Sequence, residues 1–234
     1  MSTGPRLRFA DAREAAGVAA FLGRLLRYDR AAAVRLQGAG GALAVFGKAP
    51  ALDVVVVRTA SADVASASGS ASGSGDSLDS TVSAGQLADA IDGGTPAADG
   101  GLDVPVPDAV TGPPWAGLLP PRTGWQPLPG LPEPDDLRGA VAAGVKEFKA
   151  RVEALPEDKR TRSELDRIGA EIWGRRLGGT ELPLRAAHAA HVFGLLRGPA
   201  TLVAAGNWLR LRTPYGSIAL RRGGGLPGLG VTPR

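Results

Sequence analysis

The sequence predicts an α+β fold: a helix on a small, mostly antiparallel sheet, then a proline-rich strap, then three helices followed by a β-hairpin. Three observations lead there. Apolar residues recur at helical spacing near both ends of the chain. β-branched and glycine-punctuated runs cluster after the first helix, and residues 105–134 hold ten prolines. At 234 residues, with 44% hydrophobic but only 5% aromatic content, the chain suits one large domain or two small ones with an aliphatic core.

The elements follow in order. Asp11 and Glu14 make a capping-box-like start, and Val18, Phe21, Leu22 and Leu25 then step along one face of a helix over 11–28. AVRLQ (33–37) and ALAVF (42–46), joined by GAGG, read as a hairpin. The same stretch ends in Gly47-Lys48, but Ala42 and Ala49 stand where a Walker loop needs Gly and Ser or Thr. Leu43 stands where a dinucleotide fingerprint needs glycine, so the segment is predicted to be a turn between strands, not a phosphate loop. LDVVVVRTA (52–60) reads as a strand buried on both faces. The Ser/Gly/Ala-rich stretch 61–79 is predicted to be a flexible insertion, followed by a short strand at Thr81–Val82 and a helix capped by Ser83, with Gln86 at the capping-box position.

Within the strap, Trp115, Leu118, Leu119 and Trp125 predict order against a core, and PLPGLP (127–132) reads as a rigid connector, with a polyproline ligand as the other reading. Leu137, Val141, Val145, Phe148, Val152 and Leu155 mark a long helix begun by Asp135 and Asp136. TRSELDRIGAEIWGRR (161–176) and PLRAAHAAHVFGLLR (183–197) read as two more helices. ATLVAAG, NWLRLR and SIALRR read as strands, the last two joined by TPYG. The units are therefore 1–104, the strap 105–134, the helix-and-hairpin unit 135–222 and a loose tail 223–234.

The net charge of +4 is unevenly spread. Residues 61–134 carry nine acids against Arg122 alone, and after Glu181 there are seven arginines and no acid. A basic end of this kind favours an anionic partner. The chain has no cysteine, which excludes disulfides, thiolate metal sites and thiol nucleophiles. There is no G-x-S-x-G elbow, and most serines lie in the flexible stretch, where preorganised catalysis is ill served. His188 and His191, the only histidines, sit three apart on one helix face. A metal would need further ligands, and only Asp or Glu remain, none of them after Glu181. They are predicted to be core or boundary residues; no metal, cofactor or catalytic group is expected. No run approaches a membrane span of about 18 apolar residues, and a soluble cytoplasmic protein is expected.

Three helices followed by a hairpin resemble the winged helix-turn-helix DNA-binding domains in the order of their elements. That resemblance implies that 162–176 is a supporting helix and 183–197 a recognition helix, with Arg185 near its start reaching a base edge or a phosphate. On the hairpin, Arg210 and Arg212 alternate with Leu209 and Leu211, and Arg221 and Arg222 follow on the next strand, which suits a phosphate backbone. The expected function is a non-enzymatic, DNA-associated or regulatory protein that binds nucleic acid through Arg185, Arg197, Arg210, Arg212, Arg221 and Arg222. The competing expectation is a protein-interaction or scaffold module, self-associating or docking a partner through the tryptophan strap or the hairpin, with a basic edge that is only solvated.

Overall fold

The structure, a computed structural model, describes residues 4–49, 52–65, 77–111, 115 and 119–223. The chain forms two compact units, residues 1–49 with 55–119 and residues 50–54 with 120–234. The fold is α+β. Among the described residues no helix is long and apolar enough to cross a membrane.

The N-terminal unit contains β1 (Arg6–Phe9), α1 (Ala12–Tyr28), β2 (Ala33–Ala39), β3 (Ala42–Ala49), β4 (Val54–Ala65), β5 (Leu78–Ser83), α2 (Ala84–Asp92), β6 (Thr95–Pro96) and β7 (Leu102–Pro105). Asp11 caps α1 by accepting the amides of Arg13 and Glu14 at 2.7 and 2.9 Å, and Ser83 caps α2 by accepting the Gln86 amide. Val18, Phe21, Leu22 and Leu25 are buried, as their spacing predicts. Gly40 and Gly41, both at positive φ, turn β2 into β3; a side chain at either would be strained.

The sheet is larger than predicted. Its strands run β5-β2-β3-β4, and β1 continues from the far end of β4 to β7 and then β6. The missed strands are short and two of them end in proline, so each carries too few residues for a two-residue period to stand out. They exist because partners distant in sequence pair with them: Arg6 stands opposite both Ala65 and Pro105. The same pairing corrects the expected flexible insertion. SADVA (61–65) is strand, as are Leu78 and Asp79; the rest of that expectation, 66–76, lies outside the described residues. β5 pairs with β2, Val82 opposite Val34, so the Ser/Gly stretch interrupts one unit and does not separate two.

The C-terminal unit contains β8 (Gln126–Leu128), α3 (Pro134–Glu153), α4 (Arg162–Trp173), α5 (Leu184–Val192), β9 (Thr201–Ala205), β10 (Trp208–Thr213) and β11 (Gly216–Arg221). Part of the strap is itself a strand: Gln126–Leu128 pairs with β9, giving the order β8-β9-β10-β11 instead of a lone hairpin. That pairing takes the first residues of PLPGLP into a ladder, where they are not free to act as a polyproline ligand. Trp115 is buried. Leu118 and the tail from 224 lie outside the described residues.

Helix α5 is shorter than predicted. Gly194, at positive φ, donates its amide to His191, and Leu195 donates to Ala190, which closes the helix in a Schellman turn. The helix packs on α3, α4 and β11. Ala186, Ala187, Ala189 and Ala190 are all fully buried, and their small size lets neighbours approach from several sides. Gly144 on α3 belongs to the same packing: a Cβ there would lie 3.0 Å from Leu184 and from Trp173. The predicted order of three helices and then the hairpin strands is present; α5 is largely buried, exposed at His191 and part-exposed at Arg185, His188 and Val192.

Candidate functional site

Basic residues do not all remain available. Across α3 and α4, Arg151 donates to Glu171 at 2.7 and 2.9 Å, Arg175 to Glu147 at 2.5 and 2.7 Å, and Arg167 to Glu164 at 2.5 and 2.9 Å. These bonds hold the Glu147, Glu164 and Glu171 carboxyls below the usual carboxylate range. In the N-terminal unit Arg8 binds Asp99 and Asp103, and Arg35 binds Asp79. No acid follows Glu181 in the sequence, so the seven arginines there have none of their own segment to pair with.

The chain there builds a cleft of 530 Å³ in the C-terminal unit, with Arg176, Arg185, Arg221 and Arg222 in its wall beside Glu181, Pro183 and Asn207. Its geometry starts at the end of α4. Gly174 caps that helix, and a Cβ there would meet the Ala170 carbonyl at 2.6 Å. Residues 175–184 then fold back on themselves. Leu177 donates its amide to Leu182, Leu184 donates to Arg175, and the buried Thr180 hydroxyl donates to the Leu177 carbonyl while accepting the Leu182 amide. This sets Arg176 opposite Pro183 in an isolated antiparallel bridge. Pro183 begins α5 without a side-chain cap, and the first turn carries no acid; the Arg175 carbonyl accepts the Leu184 amide instead. Arg185 follows in that first turn. On the other side, Arg222 extends the β10–β11 pairing by donating its amide to the Asn207 carbonyl.

The arginines of the cleft are held differently. The Arg221 guanidinium lies over the Trp208 ring, 5.0 Å from its centroid. Arg222 Nε is 3.2 Å from Glu181 Oε2, close enough for an ion pair but not aligned as a hydrogen bond. Arg185 Nε is buried with no hydrogen-bond acceptor among the described residues. Buried donors usually have partners, and these two nitrogens belong to two residues of the cleft wall.

The structure thus gathers Arg185, Arg221 and Arg222 and leaves the other three predicted residues elsewhere. Arg210 is drawn into the protein: its Nε donates to the buried Ser217 hydroxyl at 2.8 Å, its guanidinium lies 5.5 Å from the Trp125 centroid, and burial, then Arg212, pushes its pKa down. Arg212 is exposed near the Thr213 end of the hairpin, opposite Ser217, and Arg197 is exposed past the C-terminal end of α5. Arg176 was missed by sequence reasoning. The only signal was a second arginine at the end of a predicted helix, and the bridge that sets it opposite Pro183 is a tertiary fact.

His188 packs against an aromatic ring. Its ring stacks on Trp173, centroids 4.3 Å apart and planes 12° apart, and burial followed by the charge of His191 lowers its pKa. Among the described residues no three of His, Asp and Glu lie close enough together to hold a metal ion.

Residues 120–225 match the family model of a domain of unknown function, DUF8185. Residues 2–117 match a second, also a domain of unknown function, DUF8010. The two matches meet where the compact units divide, and the DUF8185 match carries the whole wall of the cleft. No curated protein matches the chain.

Proposed function

We propose that the C-terminal unit binds nucleic acid through the arginine cleft, as a non-enzymatic, DNA-associated or regulatory protein of the cytoplasm. One observation carries this reading: Arg176, Arg185, Arg221 and Arg222 line one recess at the start of α5, against a single carboxylate, Glu181. Guanidinium groups pair with phosphate oxygens in a planar, two-pronged geometry. Because α5 is interior, contact is with phosphate and sugar, which positions the nucleic acid without reading its sequence. Arg212 and Arg197, both exposed, extend the positive field on this reading, whereas Arg210 supports the sheet.

Fluorescence anisotropy with a labelled 20-nucleotide DNA, single- and double-stranded, over a salt series tests this. Binding is expected to weaken with salt at a log–log slope of up to roughly −3.6 for duplex if all four arginines release counterions, at about −0.9 per phosphate contact. Replacing Arg176 and Arg221 by Gln should make the slope shallower by about two such contacts. No binding to either probe at low salt overturns the proposal.

A further inference from the structure

We infer that the cleft takes a phosphate monoester, at a strand end or on a free nucleotide, in preference to an internal phosphodiester. This rests on the reading above that phosphate is what the cleft recognises, but not on the phosphate belonging to a polymer.

Charge balance comes first. Four arginines and one carboxylate, Glu181, are among the residues that line the cleft. An internal phosphodiester brings one negative charge and two non-bridging oxygens. A monoester brings roughly −1.5 to −2 at neutral pH and three acceptor oxygens. The second match suits a recess whose wall is mostly cationic.

Donor geometry points the same way. Arg185 Nε and Arg222 Nε are both buried without an aligned hydrogen-bond acceptor. Glu181 reaches Arg222 at 3.2 Å yet leaves that bond misaligned, and its side chain is 55% exposed. It occupies the cleft as a weak, displaceable stand-in for a better anion. A phosphate dianion offers these cationic donors a third acceptor oxygen and a second negative charge that a diester lacks.

Size agrees. At 530 Å³ the cleft falls in the range of small-ligand pockets, about 300–1,000 Å³. It has room for a terminal nucleotide as well as its phosphate.

The test is a binding comparison on the full chain. A 12-nucleotide DNA with a 5′-phosphate is compared with the same strand ending in a 5′-hydroxyl; adenosine monophosphate and inorganic phosphate serve as competitors. The phosphorylated strand is expected to bind at least tenfold tighter. Glu181→Gln should tighten its binding several-fold by releasing Arg222, a gain that a merely structural role for Glu181 would not produce. Arg176→Gln, at an exposed position, should weaken it about tenfold while leaving the circular dichroism spectrum unchanged, and Arg185→Lys separates charge from fork geometry.

The outcomes are distinct. Equal binding of the two strands overturns this inference and leaves nucleic-acid binding standing. Binding of adenosine monophosphate or inorganic phosphate, without any strand, supports the monoester and overturns the polymer. Competition by adenosine monophosphate at concentrations matching the phosphorylated strand identifies the free nucleotide as a sufficient source. No binding of any probe overturns both.

Discussion

Arg210 provides a sharp separation between a structural and a binding arginine. Its Nε donates to Ser217 Oγ at 2.8 Å, and Ser217 is only 2% exposed. Ser217→Ala removes the acceptor of a half-buried cation, and hydrogen bonds to charged groups contribute about 1.5–3 kcal/mol. Arg210→Met keeps the aliphatic stem but leaves the Ser217 hydroxyl unpaired, at a cost of about 1–3 kcal/mol, and also removes the stacking on Trp125, worth about 0.5–2 kcal/mol. Because both substitutions break the same bond, the double variant should cost less than the sum of the singles, with a coupling of about 1–2 kcal/mol. Urea unfolding followed by circular dichroism measures all four proteins. Anion affinity should be unchanged in Arg210→Met, in contrast to Arg176→Gln. If Ser217→Ala lies within about 0.5 kcal/mol of the parent, or the singles simply add, Arg210 is not held as argued and its exclusion from the binding set fails.

Three other outcomes follow from the packing and the charge map. Gly144→Ala puts a methyl 3.0 Å from Leu184 and Trp173, and thermal melts should show a loss of about 1–3 kcal/mol; an unchanged melt would mean that α3 and α5 can part without cost. His188 is held below the ordinary histidine value by burial and by His191, so the unfolded chain takes up its proton first as pH falls. Its contribution is complete above about pH 6.5 and is lost as pH drops through that value, so His188→Gln should flatten the melting temperature against pH between 7 and 5. Glu171→Gln breaks the pair with Arg151 on an exposed helix face. It should move the urea midpoint less than Gly144→Ala does, and less again at 1 M NaCl; the carboxylate's share persists at neutral pH and disappears only below the ordinary carboxylate range.

Much of the fold was legible because local chemistry wrote it. Asp11, Ser83 and Thr161 cap helices at the positions their spacing predicts. Gly40 and Gly41 turn the first hairpin, and the four valines 54–57 are buried. The failures share a cause. β1, β7 and β8 are too short to carry a period, and each depends on a partner far along the chain. The end of α5 was placed too late because leucines continue beyond Gly194, and an apolar pattern does not register a left-handed backbone turn.

For the candidate site the division is similar. Composition alone located the surplus of positive charge after Glu181, since no acid follows it to neutralise seven arginines. Which arginines line one cleft was decided by the tertiary structure. The fold-back of 175–184 brought in Arg176, the strand pairing placed Arg221 and Arg222 beside it, and the buried Ser217 and the ring of Trp125 withdrew Arg210. Charge is a property of each residue and can be counted along a chain. Convergence is a property of distances between segments, and those are set by backbone pairing and packing among residues far apart in sequence.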